Sequence, residues 1–189
     1  MKLQFLLMQA AMVVMTMVFF VVMLVFNEML FTRLEFAPGI NWVYLPAGVR
    51  LLCTLLFAEA GAIGLLIVSW LVSFFYFFPN DPIRAFMGGL LAAIAPYGVY
   101  RFADWRFGVG KSLANLTPGR LLLLAALYAF ASPFLHHVWF IFHGDTKEPF
   151  SGFLAMFVGD LVGTLIVLYV AKAVLRVARV VALNRGASR

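Results

Sequence analysis

His136, His137 and His143 lie close together with Asp145 just beyond them, and imidazole beside carboxylate is the ligand chemistry of zinc and related metals. Their spacing works against a shared metal. Adjacent histidines point in different directions around a helix, and His136 and His143, which can share a face, sit nearly two turns or about 10 Å apart. Hydrogen bonding at a membrane interface is the expected role of all three, with metal or haem ligation and pH sensing as weaker readings.

Arg50 and Asp160 form a sharper pair, since each stands well inside an apolar stretch. A guanidinium and a carboxylate at matching depth lower the cost of burying either charge, as structural glue or as part of a ligand site. Glu59, close to Gly61, either faces water at a turn or, if deeper, binds a cation or relays a proton. Arg50, Asp160 and Glu59 are therefore the candidates for a ligand site or structural ion pair. No residue is assigned as catalytic and no cofactor is named, because no acid–base or metal constellation of recognised spacing occurs. The stretch Gly108-Val109-Gly110-Lys111-Ser112 fails as a phosphate loop, since Trp105 stands where its first glycine is required. Asn115-Leu116-Thr117 has the spacing of a glycosylation acceptor, but Pro118 follows directly and its loop reads as cytoplasmic.

These groups need a scaffold, and composition sets its kind. Of 189 residues, 65% are hydrophobic and 12% charged, more apolar surface than a soluble domain of this size can bury. Lipid must solvate the rest, so the expected class is all-α, a polytopic transmembrane helix bundle over residues 1–175 with a basic cytoplasmic juxtamembrane tail over 176–189. Residues 5–26 follow Lys2 without a small-residue cleavage site and read as a retained helix. Residues 83–100, 121–142 and 150–175 are further spans. Asn80 or Asp81 can cap the first of these with Pro82 in its first turn, Thr117 the second with Pro118, and Ser151 the third. Pro133 should bend its helix or free a carbonyl.

Residues 41–78 are too long for one ordinary crossing. Read as two arms, 42–58 and 62–78 joined by a tight turn, they give six helices; read as one crossing, they give five. Arg101, Arg106, Lys111 and Arg120 stand against Asp104 alone, and Lys172, Arg176, Arg179, Arg185 and Arg189 against no acid, so both segments belong inside. Six crossings are preferred, placing Lys2 inside as well; their weakness is the depth of Arg50 in a short arm. Small residues such as Gly61, Gly64, Gly159 and Gly163 mark close helix approaches. Trp42, Tyr44, Tyr76, Tyr97, Tyr100, Trp105 and Trp139 fit headgroup anchors. Cys53 has no second cysteine to pair with and reads as buried filler.

The formal charge of +6 sits at membrane-flanking positions, which points to anionic lipid headgroups and away from nucleic acid. Lys172, Arg176, Arg179 and Arg185 are the expected headgroup contacts.

Trp42, Pro46, Ala47 and Gly48 at a helix start, Gly61 and Gly64 at the following turn, and Gly159, Asp160 and Gly163 in a late helix resemble the MASE1 family of integral membrane sensory domains. The resemblance spans about residues 42–175 and implies a membrane part that senses a signal and passes it to a cytoplasmic output domain. This chain has fewer expected crossings and reaches Arg189 with no such domain, so a signal would pass through a separate partner. The expected function is a non-enzymatic sensory or regulatory module, or an accessory subunit, in the bacterial inner membrane with its carboxyl terminus in the cytoplasm. Its expected partners are membrane lipids and a membrane protein or a second copy of itself. A small-solute transporter or substrate-binding membrane component is the alternative.

Overall fold

The computed structural model describes residues 2–110, 112, 115–144 and 148–187, with side chains described through residue 178. Its elements are α1 (Lys2–Phe31), a 3-10 turn (Thr32–Leu34), strands β1 (Glu35–Ala37) and β2 (Ile40–Asn41), then α2 (Leu45–Val72) running into a π-turn (Ser73–Phe77), α3 (Pro82–Phe107), α4 (Pro118–His143) and α5 (Pro149–Ala187). The five helices are each long and apolar enough to cross a membrane, so the fold is the all-α membrane bundle that composition demands.

α2 is not a straight rod. Ala58 has φ 51° and ψ −123°, a left-side conformation inside an otherwise helical run. The chain folds back there, because Gly61 lies against the Cys53 carbonyl, whereas eight residues of straight helix would separate the two by about 12 Å. Thr16 of α1 touches both Gly64 and Cys53, one on each arm. α2 is thus two antiparallel arms, 45–57 and 59–72. The first arm starts at Leu45 and not at Trp42: Trp42 donates to the Leu34 carbonyl and Tyr44 to the Gly159 carbonyl, which holds residues 41–44 extended. Alone, that arm rises about 20 Å, less than the ~30 Å hydrocarbon thickness.

Helix starts follow local chemistry. Asp81 accepts from the Arg84 amide at 3.0 Å and Thr117 from the Arg120 amide at 3.4 Å, each ahead of a proline that has no amide hydrogen to lose. The expected cap at Ser151 is displaced: α5 already begins at Pro149, for the same reason, and Ser151 lies within its first turn. Gly108 and Gly144, both in the left-handed region, end α3 and α4.

Glycine permits the closest approaches. At Gly159 and Gly163 any side chain would collide with the Asn41 and Tyr44 carbonyls, so α5 carries the extended segment 41–44 directly on its backbone. Phe20, Leu51, Leu65, Leu124 and Tyr128 fill the centre. α1 is the most exposed helix and presents Phe5, Leu6, Leu7, Val14 and Val18 outward. One end of the bundle holds the β-hairpin and Ser73–Phe77, where Tyr76 donates to Glu28 at 3.4 Å. The opposite end holds the Ala58 turn and Arg101, bridged to Glu59 through the Tyr97 hydroxyl at 3.4 and 3.3 Å.

Candidate functional site

A polar chamber lies at the β-hairpin end. The fully buried Asn27 side chain of α1 does not line it but accepts from the Leu45 amide at 2.8 Å and so fixes the start of α2. One and a half turns on, Arg50 enters the bundle with only 7% of its surface exposed. Its guanidinium carbon lies 5.2 Å from the Phe20 ring centre and 5.3 Å from that of Tyr44. Aromatic faces stabilise such a cation without neutralising it. Arg50 also makes a long contact of 3.5 Å from Nη2 to the Tyr44 hydroxyl.

Asp160, 1% exposed, faces the same chamber from α5. The fold therefore brings Arg50 and Asp160 to one chamber. They do not close an ion pair: Arg50 Nε and Asp160 Oδ2 are both buried without a hydrogen-bond partner, and Tyr128 lies within electrostatic reach of each. Arg84 of α3 lines the chamber from the other side, its guanidinium carbon 4.4 Å from the Phe78 ring centre and 5.4 Å from that of Phe140. Arg84 Nε and the Ser69 hydroxyl are likewise buried and unpartnered. About 60 Å³ of the chamber is open to water, room for roughly four to six molecules at ~10–15 Å³ each.

The three histidines diverge. His136 reaches the chamber, with Nδ1 at 2.8 Å from the Ser132 carbonyl of its own helix. His137 makes the same bond to the Pro133 carbonyl at 3.0 Å but turns toward Gly152 and Phe153 of α5. His143 stacks on Trp139 with ring centres 4.6 Å apart. Among the described residues no three metal-ligating side chains gather. Backbone carbonyls one turn back take up the first two imidazoles. Asp145, Lys147 and Lys111 lie outside the described residues.

Glu59 is exposed at the far end of the bundle, on Tyr97, and takes no part in the chamber. Lys172 and Arg176 are exposed on α5, whose helix runs without interruption past residue 175, while the side chains of Arg179 and Arg185 lie outside those described. Two of the expected headgroup aromatics turn inward instead: Tyr44 lines the chamber and Tyr100 packs in the core. Tyr76 and Trp105 do face outward.

Sequence reasoning missed Arg84, Asn27, Ser69 and Tyr128. Arg84 stands at the start of an expected span, two residues past Pro82, where a cation at a helix end draws no attention. The other three are single polar side chains in apolar helices, and in lipid such a side chain is itself a signal, since it has to find a partner within the protein.

Arg50, Arg84 and Ser69 supply donors and Asp160 supplies an acceptor, while the His136 Nδ1–H is taken up by the Ser132 carbonyl. The fold and this chamber define a polytopic helix bundle with a small polar site near one end. No family model, curated protein or solved structure matches the chain.

Proposed function

We propose that the chain is a non-enzymatic membrane module, sensory/regulatory or an accessory subunit, that receives a small polar ligand in the chamber and acts through a second membrane protein. The observation that carries this reading is a polar chamber whose buried charges lack partners, built at one end of an otherwise apolar bundle. Burying charge in lipid is costly, and function is the usual reason it persists. Ligand contact would shift the α2 hairpin against α5, where bare backbone meets backbone at Gly159 and Gly163. The resemblance to MASE1 domains is in keeping with a sensory role.

The proposed setting is the bacterial inner membrane, crossed six times with both termini in the cytoplasm. Arg101, Arg106 and Arg120 gather at the end opposite the chamber together with Lys172 and Arg176 of α5, which supports a cytoplasmic location for that end and an outward-facing chamber. α5 offers Lys172 and Arg176 to anionic headgroups or to a partner's acidic surface.

The test is purification of the full chain in mild detergent with everything that stays bound, comparing wild type with Arg50→Gln. A membrane protein that co-purifies in fixed ratio with the wild type and is lost from a folded Arg50→Gln variant supports the proposal. A chain recovered alone, with no effect of ligand on its association, defeats it. The helix break at Ala58 favours one second reading, a substrate-binding membrane component of a transporter, because broken helices build solute sites in transporters. Solute flux in vesicles holding the chain and its partner distinguishes it.

A further inference from the structure

Three buried donors in the chamber have no acceptor: Arg50 Nε, Arg84 Nε and the Ser69 hydroxyl. One buried acceptor, Asp160 Oδ2, makes no hydrogen bond of good geometry, with the Ser132 hydroxyl of α4 within its reach. Arg50, Ser69 and Asp160 are each more than nine-tenths buried, so bulk water does not satisfy them. A buried donor without an acceptor gives up its hydration with nothing in return, at greater cost when it is charged. Several such groups converging on one chamber point to a ligand that pairs with them.

The charge balance gives the sign of that guest. Two guanidiniums face the chamber against one carboxylate, which leaves it positive whether Asp160 is ionised or neutral. His136 adds an imidazole and Tyr44 a hydroxyl, neither of which reverses the balance. The size is small: about 60 Å³ open to water suits a group of a few heavy atoms. The donors approach from separate elements, the two arms of α2 and the start of α3. A guanidinium offers donors in a fixed plane that match paired oxygens better than a single spherical ion.

We propose that this chamber binds a small oxyanion group, carboxylate or phosphate, held between Arg50 and Arg84 with Ser69 as a third donor. This deepens the functional reading above by naming the chemical class of the ligand. Asp160 lines the same site, where it offsets part of the Arg50 charge and accepts from a hydroxyl or ammonium that the guest carries. Pro38, Gly39 and Phe78 line the chamber toward the β-hairpin, so the oxyanion can belong either to a free solute or to a lipid headgroup entering from the interface.

The experiment uses the full chain in uncharged detergent at constant ionic strength, so that general screening does not change. Thermal unfolding and titration calorimetry are run with sodium acetate, with inorganic phosphate, and with micelles doped with phosphatidic acid, against chloride. The expected result is a saturable rise in the unfolding midpoint with at least one oxyanion probe and not with chloride. Arg84→Gln and Ser69→Ala should each weaken binding, Arg84→Gln by tenfold or more, while Arg84→Lys retains part of it. Binding of acetate or phosphate alone assigns the site to free solutes, and binding only of doped micelles assigns it to lipid. Arg50→Gln is informative only if it folds, so Arg84→Gln, nearer the helix start, carries the test. No saturable response to any probe, or equal responses in wild type and Arg84→Gln, would overturn the proposal. If the chain keeps a stoichiometric membrane partner yet binds none of the three, this inference fails and the functional reading stands.

Discussion

Asp160 illustrates how a residue in this protein acquires its cost. Its carboxylate is 1% exposed and shares a chamber with Arg50 without touching it closely enough to pair. Removing one member of a closed buried pair costs about 3–5 kcal/mol, because the other charge is stranded. Here the space between them can hold water, so Asp160→Ala should cost less, about 2–3 kcal/mol. Asp160→Asn, which keeps the shape and a polar end, should cost about half of that. Equilibrium unfolding in mixed detergent measures both, and a wild-type midpoint for Asp160→Ala would show that Arg50 does not depend on it.

At the scale of the element, two devices make the chamber. The first is the Asn27 side chain, which serves as the cap that the start of α2 lacks in its own sequence. Asn27→Ala should lose about 1–2 kcal/mol, since it leaves the Leu45 amide buried and unpaired. The second is the Ala58 turn. A non-glycine residue at φ 51° stores backbone strain, so Ala58→Gly should stabilise the hairpin by about 1 kcal/mol, while a β-branched residue there should destabilise it. A lower unfolding midpoint for Ala58→Gly would contradict the turn. Gly163→Ala tests the α5 contact: its added carbon meets the Tyr44 carbonyl, and the resulting overpacking should cost about 1–3 kcal/mol.

For the whole molecule the question is which end faces which compartment. With Cys53 replaced by Ala, single cysteines at Gly39 and Ser112 report opposite ends of the bundle. An impermeant thiol reagent should label position 39 in intact cells and position 112 only after permeabilisation. The reverse pattern would invert the orientation and place the chamber in the cytoplasm.

The sequence by itself determined the solvent and the class of fold. Apolar runs of membrane-spanning length admit only helices that satisfy their own backbone, so a helix bundle followed from composition before any contact was known. The cap at Thr117, and one at Asn80 or Asp81, were equally legible, because a cap is a local event among neighbouring residues; the structure selects Asp81. That Arg50 and Asp160 could meet was suggested by counting helix rise in the six-helix reading. Only the tertiary structure decided that α2 doubles back at Ala58, that residues 42–44 lie extended on α5, and that Arg84 and Ser69 join Arg50 across the chamber while Glu59 does not. Those outcomes depend on contacts between residues distant in the chain. Hydropathy is nearly uniform around each of these helices and carries no mark of which face turns inward.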